Sequence, residues 1–146
     1  MRRDLHILLI DDNPDHIKIF IWALEQSEIR NKVSVIEDGK KALDVLESLD
    51  SPECILSRKP DIIFLDMNLP PMNGLDLLRR IKTDPALSLI PVIIISSSDR
   101  IEDVKKAYAL GANTYISKSK IFDEVALAVN TICHYWVDVA QLSTRQ

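Results

Sequence analysis

The chain has only two cysteines, Cys54 and Cys133, and they stand far apart. They make no CxxC pair and no zinc-ligand spacing, so they read as reduced cytosolic thiols. Basic residues are not in excess. The formal net charge is −4, which argues against nucleic acid as the main partner, because phosphate binding needs a basic face. Long apolar runs are missing as well. The first run, Leu5 to Ile10, meets Asp11 and Asp12 too soon for a signal peptide or a membrane span. A soluble, cytoplasmic protein is expected. There is no internal repeat, no low-complexity segment and no linker to a second domain. What remains is 146 residues, 47% hydrophobic and 27% charged, enough to fold around a core of its own.

Strand-like and helix-like patterns alternate five times. Leu5 to Ile10 is the first strand, and Asn13-Pro14 opens a helix with Ile17, Phe20, Ile21 and Leu24 on one face. Val33 to Ile36 is the second strand, and Lys40 to Leu49 the second helix. The connection from Asp50 to Pro60 reads as a surface loop or a helix extension. The third strand, Asp61 to Leu65, carries the unbroken apolar run Ile62 to Leu65 up to Asp66 and reads as buried on both faces. A helix follows Gly74 with Leu75, Leu78 and Ile81 on one face and stops before Pro85. Val92 to Ile95 is the fourth strand. Asp99 and Glu102 resemble a capping box for the next helix, and Gly111 ends it. Tyr115 to Ser117 is the fifth strand. The last helix carries Val125, Ala128, Val129, Ile132 and Trp136 at helical spacing. Five such units in tandem predict a parallel α/β sheet with helices on both faces.

In such sheets the working crevice lies outside the carboxyl ends of the strands. There the sequence supplies Asp11 and Asp12, Asp66, Ser96 and Lys118. A strand-end Asp by itself is commonly a helix cap or a turn residue, and Asp11 and Asp12 can be read as caps of the first helix. The convergence of all five argues for more. Clustered carboxylates call for a divalent cation. A carboxylate oxygen can attack phosphorus if the charge of the phosphoryl group is neutralised. The resulting expectation is Mg²⁺ on Asp12 and Asp66, on Asp11 through water, and on a backbone carbonyl of Met67 or Asn68, with Asn68 taken for the site. Lys118 pairs with Asp66 at rest and with a phosphoryl oxygen afterwards, and Ser96 donates to another.

These motifs resemble the receiver domain of two-component response regulators from about Leu5 to about Ile132. They are Asp11-Asp12, the run Leu65-Asp66-Met67-Asn68-Leu69-Pro70 with Gly74, Ser96 after Pro91 to Ile95, and Gly111-Ala112 leading to Tyr115 and Lys118. The narrower features, Asn68-Leu69-Pro70, Tyr108 to Lys118, the long loop after the second helix and Tyr135-Trp136, resemble the small stand-alone regulators paired with bacterial phytochrome kinases. The resemblance implies a flavodoxin-like sheet, order 2-1-3-4-5. It implies phosphotransfer from a sensor histidine kinase to Asp66, with Ser96 and an inward-turning Tyr115 as switch residues acting on the helix 4–strand 5–helix 5 face. It further implies a signalling protein that takes part in its own phosphorylation and slow dephosphorylation, not an enzyme. Where the family has a Pro after the Lys, with a cis bond, this chain has Ser119, and a non-proline cis bond costs about 2.5–4 kcal/mol.

Residues 1–135 form the expected domain and 136–146 a tail. Its Trp136, Val139 and Leu142 are either core packing or a homodimer contact. The histidines His6, His16 and His134 show no mutual spacing for a metal site. Rival functions fit less well. A phosphatase with an Asp nucleophile needs an acid two residues on, where Asn68 stands. A flavin module needs a hydroxyl- and glycine-rich loop where Asp11-Asp12-Asn13 stands. A phosphorylation-independent scaffold has no use for an intact Asp66.

Overall fold

The computed structural model describes residues 4–56 and 58–143. Met1 to Arg3 of the expected domain, Ser57 in the long connection and 144–146 of the expected tail lie outside the described residues. The five strands are β1 (Leu5–Ile10), β2 (Asn31–Ile36), β3 (Ile62–Asp66), β4 (Val92–Ser96) and β5 (Thr114–Ser117). They pair in parallel in the order β2-β1-β3-β4-β5. The helices are α1 (Pro14–Glu25), α2 (Gly39–Glu47), α3 (Gly74–Thr83), α4 (Ile101–Ala109), α5 (Lys118–Asp123) and α6 (Val125–His134), followed by a π-helical turn, Tyr135–Val139.

Every residue of the inner strands β1, β3 and β4 is buried. The period of two then sends alternate side chains into different cores. Leu5, Ile7, Leu9, Phe64 and Ile93 meet Ile17, Phe20 and Leu24 of α1 and Val125, Val129 and Cys133 of α6. Leu8, Ile10, Leu65 and Ile94 meet Leu43 and Leu46 of α2, Leu77, Leu78 and Ile81 of α3 and Ala107 of α4. Each large apolar side chain so covered contributes roughly 1.5–3 kcal/mol. Phe20 packs edge-on against Phe64, ring centres 4.8 Å apart, so α1 is fixed directly on the strand that ends in Asp66. The long connection is anchored to the sheet by Leu56, which is buried.

One local expectation changes, and two local features go beyond the sequence reading. The start of α4 is not a capping box of Asp99 and Glu102. Its N-cap residue, Arg100, makes no side-chain cap bond. Ser98 Oγ instead donates to Asp103 and accepts the Arg100 N–H. The short hydroxyl sits one residue nearer β4, where it also meets the strand-end loop. A separate short helix, α5, precedes α6, because the chain leaves helical geometry at Glu124 (φ −139°, ψ 65°). The segment beyond residue 135 packs inward as well as outward. Trp136 and Val137 lie against the α1/α6 core and Leu142 is buried in it, whereas Val139 is 73% exposed. Gly111 does end α4 as expected, at a left-handed φ of 106°. No helix among the described residues is long and apolar enough to cross a membrane.

Gly74 sets the shape of the loop that follows Asp66. A Cβ there would stand 2.7 Å from the Met67 Cα and 2.7 Å from its carbonyl oxygen, both backbone atoms. At Gly39 the nearest atom to a Cβ is the Met72 side chain at 3.2 Å, which can give way. Gly74→Ala is therefore expected to lose stability near the upper end of the roughly 1–3 kcal/mol range for overpacking, and Gly39→Ala clearly less. Urea midpoints of the two variants compare them directly, and equal losses would show that the β3–α3 loop yields freely.

Candidate functional site: an acidic cluster at the carboxyl edge of the sheet

Register brings the site together. Ile10 of β1 faces Leu65 of β3, so Asp11 follows beside Asp66. Asp66 faces Ile95 of β4, so Ser96 comes next to it. Ser96 faces Ser117 of β5, and Lys118 is the following residue. Oxygens of Asp11, Asp12 and Asp66 lie within 4.8 Å of one another. Asp11 and Asp66 are buried, and Asp12 is exposed to the crevice.

Local hydrogen bonds fix each acid. Asp11 Oδ1 accepts the Asn13 N–H at 2.9 Å, and Asp66 Oδ1 accepts the Asn68 N–H at 3.1 Å. Asn13, not either acid, caps α1, accepting from the N–H groups of Asp15 and His16 at 3.0 and 3.2 Å. The Asp pair is thereby free for another use. Gly74 N–H donates to the Met67 carbonyl at 3.0 Å and closes the loop after β3. Asn68 is exposed, and its Nδ2 reaches Ser97 Oγ at 3.4 Å across the crevice.

Lys118 Nζ donates to Asp66 Oδ2 at 3.0 Å, with its side chain only 14% exposed. Ser119 does not take the lysine out of reach. The cis peptide bond among the described residues is Pro70–Pro71, and Lys118 opens α5 with Ser117 as its cap. Ser96 is buried, and its Oγ accepts the Ser98 N–H at 3.1 Å. The Tyr115 hydroxyl donates to the Ser98 carbonyl at 2.7 Å, and the half-buried ring packs against the α2/α3 core.

His16 has no role in the sequence reading, yet its Nδ1 lies 3.1 Å from Lys118 Nζ. The available signal was its position, one turn into the helix that leaves Asp12. The other two histidines lie elsewhere. His6 Nε2 bonds Ser34 Oγ at 3.0 Å, and His134 meets Asp138 at 2.8 Å.

The electrostatics follow from burial first and from neighbouring charge second. Burial pushes Asp11 up to about 6, and the neighbouring Asp66 adds to the shift, while the Asn13 N–H and Lys118 oppose it. The acids thus carry more negative charge than their partners offset. Three carboxylates are an all-oxygen donor set of the kind hard divalent cations take, so the cluster suits such a metal. His16 is held below its usual value by burial and then by Lys118.

Asp11 gives a signed prediction. Native Asp11 keeps its proton up to about 6, against 3.8 for the unconstrained group. Between those values the native state binds more protons than the unfolded one, so stability falls as pH rises. The cost is complete above about pH 6 and amounts to roughly 3 kcal/mol at most. In chelator at neutral pH, Asp11→Asn is expected to be more stable than the parent by up to that amount. The gap should close on acidification, and a divalent cation should stabilise the parent more than the variant. Urea titrations with and without metal read this, and parent and variant of equal stability at neutral pH in chelator would disprove it.

Comparison with known proteins agrees with this geometry. Residues 7–130 match the response regulator receiver domain. Response regulator Rcp1 of Synechocystis is 31% identical over 136 residues, 93% of this chain and 91% of that protein. The structure of its Mn²⁺-bound form superposes with a TM-score of 0.82 at 31% identity, covering 94% and 97% of the two chains. The phosphorylated cyanobacterial phytochrome response regulator RcpA superposes with a TM-score of 0.87 at 33% identity, covering 97% and 100%. A probable methanogenesis regulatory protein of Methanothrix harundinacea, FilR2, is 31% identical over 90% of this chain and 83% of its own length. Acids gathered at the edge of a sheet ordered 2-1-3-4-5, together with a family match across most of the sequence, make this chain a member of the response regulator receiver domain family, signalling proteins whose standard role is to take a phosphoryl group from a histidine kinase.

Proposed function

We propose that Asp66 is the residue phosphorylated, and that the modification switches the face formed by α4, β5 and the last helix, α6. The observation that carries this reading is the Lys118–Asp66 pair, 3.0 Å long, beside the oxygens of Asp11 and Asp12. A carboxylate oxygen of Asp66 attacks the phosphorus of a phosphohistidine. The P–N bond breaks, and its electron pair stays on the imidazole nitrogen, which takes up a proton. Mg²⁺ bound by Asp12, Asp66, the Asn68 carbonyl and, through water, Asp11 would supply charge neutralisation for that transfer. The Mn²⁺-bound form of the relative Rcp1 supports a metal here. Lys118 then donates to a phosphoryl oxygen and Ser96 to another. Slow self-hydrolysis returns the resting state.

Ser96 and Tyr115 meet at one residue, Ser98, which gives the switch a physical route. When the Ser96 hydroxyl turns to the phosphoryl group, the Ser98 N–H loses its acceptor, and Ser98 also holds Tyr115 and the first turn of α4. Moving a two-state element from about 1:99 to about 99:1 takes roughly 5.5 kcal/mol. Two charge-assisted bonds at about 1.5–3 kcal/mol each reach that scale when both form. The partner we favour is a cytoplasmic sensor kinase of the bacteriophytochrome kind, in line with the similarity to RcpA. The exposed Tyr135 and Val139 are the side chains we assign to a homodimer contact.

Acetyl phosphate with Mg²⁺ should label the parent, and Asp66→Asn should abolish the label while the circular dichroism spectrum is kept. A label that survives in the variant moves the acceptor elsewhere. Ser96→Ala should still be labelled but should lose the phosphorylation-dependent change in tyrosine fluorescence, and an undiminished change would remove Ser96 from the switch. Val139→Asp should lower the sedimentation mass of any dimer, and a dimer of unaltered mass would place the contact on another surface.

A further inference from the structure

We propose that His16 is a positioning residue for phosphoryl transfer: its Nδ1 accepts a hydrogen bond from Lys118 and holds the ammonium over Asp66. The inference rests on the reading of Asp66 as phosphoacceptor and adds a residue to that site.

Lys118 Nζ has two protein acceptors from two different elements, Asp66 Oδ2 of β3 at 3.0 Å and His16 Nδ1 of α1 at 3.1 Å. A lysine with a single ionic partner keeps much of its rotamer freedom, and a second acceptor from a fixed direction removes it. The direction is fixed here. Asn13 caps the first turn of α1 and accepts the His16 N–H. The imidazole also lies against Phe122 of α5, ring centres 4.8 Å apart and planes tilted 31°. Phe122 is one helical turn beyond Lys118, so the same segment carries the lysine and braces its acceptor.

The chemistry of the acceptor matters. A carboxylate at this place would compete with Asp66 for the ammonium. A neutral imidazole engages one N–H and leaves two, which suits a lysine that must shift from a carboxylate oxygen to a phosphoryl oxygen. An ammonium as donor requires that His16 carry its proton on Nε2. The groups facing the ring agree. Lys118 disfavours an imidazolium, as does burial, while Asp12 and Asp15 beside it and Asp66 across the crevice favour one. Acidification protonates the ring, turns the acceptor into a donor and sets two cations against each other.

The test compares His16→Leu, which has no acceptor, with His16→Asn, whose Oδ1 is attached to Cγ as the histidine Nδ1 is. Phosphoramidate with Mg²⁺ drives labelling, and the rate is followed across the histidine titration range. His16→Leu is expected to slow labelling about tenfold (about 1.4 kcal/mol), and His16→Asn to restore most of the rate. The parent's rate should fall on acidification more steeply than that of His16→Asn. Nitrogen-15 spectra of the parent at neutral pH should show His16 protonated on Nε2 alone. Equal rates and pH profiles for all three proteins, or a proton on Nδ1 at neutral pH, would overturn the assignment. If His16→Leu does not fold, the tautomer and the comparison of parent with His16→Asn decide. Labelling retained in Asp66→Asn would overturn the underlying reading of the acceptor while the tautomer result stands.

Discussion

A parallel sheet ends all its strands on one edge, and here that edge collects charge. β1 and β3 are each buried throughout and lie side by side, so the residues that follow them cannot move apart without shearing the core. Asp11 and Asp66 are forced together by the packing of Ile10 and Leu65 beneath them. Burial of the Asp11 carboxylate at that edge, with the Asp66 charge adding to it, raises its proton affinity. A cation, a proton or the Lys118 ammonium can each offset part of that negative charge. A site so arranged responds strongly to any change in local charge, and an added phosphoryl group is one.

From that edge a short series of hydrogen bonds leads to the helical face. Ser96 holds the Ser98 N–H, Ser98 holds Asp103 in the first turn of α4, and the Ser98 carbonyl holds Tyr115 of β5. Tyr108 of α4 in turn accepts the Tyr115 N–H at 3.0 Å. On the opposite side Lys118 links Asp66 to His16 and, through the stacked ring, to Phe122. The acidic cluster therefore sits between two small polar assemblies, one reaching α4 and the other α1 and α5.

Much of this was legible beforehand, and for plain reasons. Unbroken apolar strands bounded by Pro, Gly and Asp can only be inner strands of a covered sheet, and the residues that follow them must share its edge. Asp11, Asp12, Asp66, Ser96 and Lys118 were found in that way. The capping of α4 was misread because Asp99 and Glu102 have the spacing of a box, while the hydroxyl that serves, Ser98, was one residue away and already bound to β4's loop. The short helix Lys118–Asp123 was not legible, because its six residues offer one buried side chain, Ile121, and no apolar period of their own.

The sequence by itself determined the strands, their two-sided burial and the kinds of residue at their carboxyl ends, since these follow from composition and period within short segments. Only the tertiary structure decided which atoms meet. Lys118 and His16 are separated by 102 positions, and no spacing in the sequence connects them. Their contact exists because α1 and the α5–α6 segment pack on the same face of the sheet, which turns two unrelated side chains toward a single aspartate.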